Sequence, residues 1–122
     1  MPLAILHVED NLCIALTIKD TLEFAGCRVT HCVDGLAGLR ELQSETHYDL
    51  LLVDQDVPHI DGLQLIRHAR MLKHRQHTPI IMLSAHDYRE EAQRVGADVF
   101  LRKPEGIQNL IPAITRLLNQ SA

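Results

Sequence analysis

The chain has 122 residues, 46% of them hydrophobic, enough to bury one sizeable core and too few for a second domain of ordinary size. A formal charge of −4 and a pI near 6.0 leave no basic excess for a phosphate backbone or an anionic membrane surface, which excludes direct nucleic-acid binding. Cys13, Cys27 and Cys32 have neither ligand spacing nor a disulfide framework, no apolar run approaches the roughly 20 residues of a membrane span, and Met1-Pro2 opens no signal peptide.

The expectation is one cytoplasmic domain over residues 1–122. Leu3 to Val8 is a short, almost continuous apolar run that predicts a strand buried on both faces, followed by polar Glu9-Asp10-Asn11. From Leu12 to Ala25, apolar residues at Leu12, Ala15, Leu16, Leu22 and Ala25 keep helical register, and Gly26 terminates them. Cys27 to Val33 predicts a second strand, and Asp34 caps a helix carrying Leu36, Leu39 and Leu42. YDLLLVD predicts a third strand ending at Asp54. Pro58 and Gly62 punctuate the next loop, after which Leu63, Ile66, Ala69 and Leu72 mark a third helix.

TPIIMLSA predicts strand four, Asp87 to Val95 a short helix stopped by Gly96, and VFLRK strand five. Ile107, Leu110, Ile111, Ile114, Leu117 and Leu118 make the stripe of a last helix, with Pro112 tolerated if that helix starts near Gln108 or Asn109. Five strands alternating with five helices predict an α/β domain, a doubly wound parallel sheet with right-handed crossovers. Such sheets bind ligands at the carboxyl ends of their strands.

The polar residues after strands one, three, four and five are Glu9 with Asp10, Asp54, Ser84, and Lys103. Packed carboxylates cannot all stay ionised uncompensated, so either their pKa values rise or a cation joins them. Mg²⁺ takes oxygen ligands and commonly sits between one or two carboxylates and phosphate oxygens. With the Ser84 hydroxyl and the Lys103 ammonium to meet the remaining phosphoryl charge, this is a phosphoryl-transfer constellation.

The motifs ILHVEDN, LLVDQDVPHIDG, IIMLSA and VFLRKP make the whole chain resemble the receiver domains of bacterial two-component response regulators. The resemblance implies a flavodoxin-like (βα)5 fold with sheet order 2-1-3-4-5. It implies that Glu9 and Asp10 hold Mg²⁺, with Mn²⁺ as a substitute, that Asp54 is both ligand and phosphate acceptor, and that Asp56 gives its backbone carbonyl to the metal. Ser84 then contacts the phosphoryl group, Lys103 pairs with it, and Pro104 follows a cis peptide bond. Phe100 occupies the switch position, and Asp56 and His86 occupy positions that tune dephosphorylation. The implied donor is a sensor histidine kinase or a histidine phosphotransfer protein. The implied output is a population shift on the face of helix four, strand five and helix five, read by an unidentified partner or effector domain.

Departures from the pattern are Phe rather than Tyr at 100, Val57 where Met is usual, and only 19 positions from Ser84 to Lys103. That interval is short by about three residues, close to one helical turn, so the fourth helix or its preceding loop is trimmed. Asp54-Gln55-Asp56 also fits a haloacid-dehalogenase-like phosphatase, with Asp54 as nucleophile and Asp56 as general acid. Its chain order is wrong, because there the acidic metal pair follows the lysine. The same fold could serve as an adaptor that ignores phosphodonors. It could also hold a flavin, but an acidic loop after strand one repels a flavin phosphate. His68, His74 and His77, set among Arg67, Arg70, Lys73 and Arg75, read as the solvated end of helix three rather than a metal site. His7 reads as a satisfied strand residue without a role.

Overall fold

A computed structural model describes residues 2–121. In chain order the elements are β1 (Ala4–Val8), α1 (Leu12–Phe24), β2 (Arg28–Cys32), α2 (Gly35–Gln43), β3 (Leu50–Asp54) and α3 (Gly62–Met71). They continue with β4 (Ile80–Ser84), α4 (Arg89–Val95), β5 (Val99–Arg102), α5 (Glu105–Gln108) and α6 (Leu110–Ser121). The five strands form one sheet of order β2-β1-β3-β4-β5, every pair parallel. The central strands β1, β3 and β4 read as apolar runs because both faces are covered, while the edge strands β2 and β5 keep exposed positions. Leu6, Val8, Leu51, Val53, Ile80 and Met82 pack with α2, α3 and α4, while Ile5, Leu50, Leu52, Ile81 and Leu83 pack with α1 and α6.

Local side chains start the helices. The Asn11 side chain accepts from Ile14 N at 3.1 Å and Asp34 from Ala37 N at 2.8 Å. Asp61 accepts from Gln64 N at 2.9 Å while the Gln64 side chain accepts from Asp61 N at 3.0 Å, a reciprocal capping box. Gly26, at φ 92°, closes α1 in the left-handed conformation that glycine adopts without strain.

The structure corrects several expectations. On α1 the buried residues are Ala15, Ile18 and Leu22, while Leu12 and Leu16 stand 61% exposed and Leu36 on α2 stands 40% exposed. The apolar residues of these helices outnumber the positions that face the sheet. On α3, Leu65 is fully buried and Leu63 only half-buried. The last helix is two: α5 ends at Gln108 and α6 begins at Leu110, six helices in place of five among the described residues. Pro112 offers no N–H to the Gln108 carbonyl and its ring would crowd that oxygen, so the chain breaks there and Ala113 N resumes the ladder on Asn109 O at 3.0 Å.

At the basic end of α3, Arg67, His68, Lys73, His74 and His77 are exposed as expected, but Arg70 and Arg75 are not. Arg75 is 2% exposed. Its guanidinium donates to the carbonyls of Leu42, Glu41, Ser44 and Thr46 at 2.6–3.1 Å and lies 5.2 Å from the centroid of the Tyr48 ring. Arg70 likewise donates to Gly96 O, Arg75 O, Gln76 O and Thr78 O and pairs with Asp98 at 3.0 Å. Both charges are spent on backbone carbonyls, so they tie the α3–β4 turn to its neighbours instead of compensating a helix dipole.

Candidate functional site

The parallel register brings the ends of four strands to one edge. Val8 lies opposite Val53, Asp54 opposite Leu83, and Ser84 opposite Arg102. The ladder runs on past the strands: Glu9 N donates to Cys32 O at 3.0 Å, Gln55 N to Leu83 O at 3.2 Å, and Lys103 N to Ser84 O at 2.8 Å. Asp54 and Ser84 are therefore the last residues of their strands, and Glu9 and Lys103 the first beyond theirs, with Asp10 one further on.

Glu9, Asp10 and Asp54 bring carboxylate oxygens within 4.8 Å of one another. Glu9 is 1% exposed, Asp54 is 4% exposed, and Asp10 is open to solvent. Lys103 Nζ bridges the two buried acids, 2.8 Å from Glu9 Oε1 and 3.2 Å from Asp54 Oδ1. Burial and the Glu9 carboxylate push the Asp54 carboxyl up to about 6, against the opposing pull of Lys103. Burial works to lower the Lys103 ammonium, but its hydrogen bond to Glu9 and the charge of Asp54 outweigh that and hold it above its ordinary value. One ammonium leaves this acidic group short of positive charge, and an all-oxygen donor set of this kind suits a hard divalent cation such as Mg²⁺.

Ser84 is fully buried, and its Oγ accepts from His86 N at 3.1 Å. The His86 and Asp56 residues are exposed beside the site, and the negative charge of Asp56 adds to the upward push on Asp54. Phe100 is half-buried opposite Met82, with the Arg89 guanidinium 5.3 Å from its ring centroid. The Lys103–Pro104 peptide bond is cis. Between Ser84 and Lys103 the helix α4 has seven residues; its N-cap residue Tyr88 makes no side-chain cap, and the Asp87 side chain accepts from Arg89 N at 3.0 Å.

Sequence reasoning missed several supports. Gln55 is 5% exposed and its side chain accepts from Leu63 N at 2.8 Å, while Gln55 O accepts from Gly62 N at 3.1 Å. A methyl group on Gly62 would stand 2.7 Å from the Asp54 carbonyl oxygen, so glycine is needed for this loop to close on the acceptor strand. The Asp61-x-x-Gln64 spacing was the available signal for that loop. His31 donates to Glu9 O at 2.6 Å, a contact between strands that no local pattern announces.

His7 corrects an expectation. It is 1% exposed, and neither ring nitrogen has a hydrogen-bond partner among the described residues. Burial, His31 and Lys103 together lower it to about 3, so the ring is neutral. The ring lies between Leu52 and His31 on the adjacent strands, its centroid 5.8 Å from that of His31, and is held in place without being satisfied.

A sequence model of the response regulator receiver domain matches residues 5–115. The chain belongs to the response regulator receiver domain family. PilG of Pseudomonas aeruginosa is 32% identical over 118 residues, covering 92% of this chain and 84% of PilG. Response regulator MprA of Mycobacterium sp. strain KMS is 30% identical over 127 residues, which is 100% of this receiver domain and 53% of MprA. The chain therefore spans about half the length of MprA. Among solved structures, the chemotaxis response regulator CheY4 of Vibrio cholerae superposes with a TM-score of 0.89 at 28% identity, over 96% of this chain and 99% of CheY4. The receiver domain of a sensor histidine kinase from Pseudomonas aeruginosa, solved with a magnesium ion coordinated in its active site cleft, superposes with a TM-score of 0.88 at 30% identity, over 98% of this chain and 99% of that one. These likenesses lend no support to a haloacid-dehalogenase-like phosphatase. No helix among the described residues is long and apolar enough to cross a membrane.

Proposed function

We propose that this receiver domain is a Mg²⁺-dependent phosphoacceptor switch and that Asp54 takes the phosphoryl group. The observation that carries the reading is one buried carboxylate, Asp54, flanked within 4.8 Å by two more and paired with Lys103 at 3.2 Å. An Asp54 oxygen attacks the phosphorus of a phosphohistidine on a sensor kinase or phosphotransfer protein, the P–N bond breaks, and the imidazole leaves with its electron pair and takes a proton. Glu9, Asp10, Asp54 and the Asp56 backbone carbonyl would hold the cation, with Mn²⁺ as a substitute. Mg²⁺ supplies positive charge against the phosphoryl oxygens when bound. Lys103 exchanges its Asp54 contact for a phosphoryl oxygen, and the buried Ser84 hydroxyl donates to another.

Drawing Ser84 toward the acyl phosphate opens space toward which Phe100 turns, shifting the α4–β5–α6 face toward a second packing that an output partner or effector domain reads. Asp56 and His86, exposed at the mouth, set how water reaches the phosphorus. The seven-residue α4 gives the output face a shorter wall.

The test is intact mass after incubation with acetyl phosphate and Mg²⁺. A labile gain of one phosphoryl group, absent in Asp54→Ala and absent with chelator, is expected. No gain in a protein shown to be folded by circular dichroism would refute the proposal.

A further inference from the structure

Glu9 is held at each of its polar atoms. Its N donates to Cys32 O at 3.0 Å, Oε1 accepts from Lys103 Nζ at 2.8 Å, Oε2 accepts from Asn11 N at 3.2 Å, and the backbone oxygen accepts from His31 Nε2 at 2.6 Å. Cys32 O and Asn11 N are backbone groups, present whatever side chain stands there, and Lys103 is part of the site already described. His31 is the remaining side chain, and the phosphoryl-transfer chemistry gives it no part.

The end of the β1–β2 ladder shows why a side chain is needed here. Val8 pairs with Cys32, so one step further Val33 stands opposite Glu9, and in a parallel ladder the donor to Glu9 O would be Asp34 N. The chain turns away at that point, because Asp34 caps α2. A carbonyl left at the rim of a buried site without its ladder donor costs free energy unless another donor replaces it. His31 reaches from its own register partner, His7, two residues along β1 to Glu9, roughly 7 Å at the strand rise. An imidazole Nε2 and its hydrogen bond together span that distance, and a Ser or Asn side chain does not. A carbonyl only accepts, so Nε2 carries the hydrogen.

The His31 ring is itself kept in place. His7 lies across from it with ring centroids 5.8 Å apart, and both His7 nitrogens lack a partner among the described residues, so His7 takes no share of the His31 N–H. The ring also shares the lining of a depression of about 190 Å³ with Leu12, Ala15 and Leu16 of α1. The Glu9 carbonyl and the Asp10 N–H belong to one rigid planar peptide unit. Holding the oxygen holds the plane, and the plane sets where Asp10 Cα stands and along which line its side chain leaves. Asp10 is open to solvent, so its backbone and not packing aims it at Glu9 and Asp54, whose carboxylate oxygens lie within 4.8 Å of its own.

We infer that His31 is a positioning residue for the cation site: its Nε2–H stands in for the missing ladder donor, holds the Glu9–Asp10 peptide plane, and so aims the Asp10 carboxylate. It acts through Glu9 and touches neither cation nor phosphoryl group. The inference rests on the reading of Glu9 and Asp10 as Mg²⁺ ligands.

The test is Mg²⁺ affinity of the whole chain by isothermal titration calorimetry, together with NMR of the isotope-labelled wild type in EDTA. His31→Phe keeps a ring and removes the donor, and it should bind Mg²⁺ about tenfold more weakly while circular dichroism shows it folded. His31→Gln carries an amide N–H at similar reach and should recover most of that loss, which a residue needed only for packing would not do. In the wild type the NMR spectrum should place the hydrogen on Nε2, with a scalar coupling from that nitrogen to the Glu9 carbonyl carbon. Wild-type affinity in His31→Phe, a glutamine variant as weak as the phenylalanine one, or a hydrogen on Nδ1 would each overturn the inference while leaving the Mg²⁺ reading intact. A wild type that takes up no Mg²⁺ although the coupling is present would end the Mg²⁺ reading itself, and this inference with it.

Discussion

Replacing Asp54 with asparagine keeps its shape and an acceptor for Lys103 but removes one of the packed charges. With the carboxyl raised from 3.8 to about 6 by burial and Glu9, ionised Asp54 costs the metal-free fold about 3 kcal/mol at pH 7, at ~1.36 kcal/mol per pH unit. Asp54→Asn should therefore stabilise the protein in EDTA by about 2–3 kcal/mol, a urea midpoint higher by roughly 1–2 M. The sign of the pH dependence follows. A folded-state pKa above the unfolded one gives stability that is present below 3.8 and lost as pH rises through 6, so the gap between variant and wild type should close as pH falls from 7 toward 4. His7 titrates in both proteins and cancels in the difference. Mg²⁺ should also narrow the gap, since a cation at 100 times its Kd stabilises the wild type by about 2.7 kcal/mol. The assay is urea denaturation by circular dichroism at pH 7 and 4.5, with EDTA or Mg²⁺. An asparagine variant no more stable than wild type in EDTA at pH 7, or a gap indifferent to pH, would refute the reasoning.

His7→Leu replaces two unpartnered ring nitrogens by apolar volume and should raise stability by about 1–3 kcal/mol in urea melts at pH 7. Because His7 is lowered to about 3, wild type loses stability as pH falls through the unfolded value of 6.5 toward 3, and this variant should lose less over that window. Arg75→Ala strands four carbonyl acceptors and a buried ring face, and a loss of at least ~3 kcal/mol is expected, with Arg75→Lys restoring only a fraction because a point charge cannot reach all four. Gly62→Ala should slow phosphorylation by acetyl phosphate at least tenfold while the protein stays folded, because the added methyl pushes on the Asp54 carbonyl; an unchanged rate would show that the loop has room to move.

Much of this protein was determined by the sequence alone, wherever the physics is local. Apolar runs such as Leu50–Asp54 specify strands covered on both faces, and Asp34 and Asn11 cap helices with their own side chains. The candidate site was legible too, because a parallel sheet carries the ends of all its strands to one edge, so Glu9, Asp10, Asp54, Ser84 and Lys103 meet without any long-range detail being known. Tertiary structure alone decided the rest. Ile18 and not Leu16 faces the sheet because the angle of packing selects one stripe from an over-apolar helix. Arg75 is buried because carbonyls 29–34 residues away converge on it, and His7 is left without a hydrogen bond because the ring across from it, His31, donates to Glu9 O instead. Contacts of that range depend on register and burial, which a periodicity read along one segment does not carry.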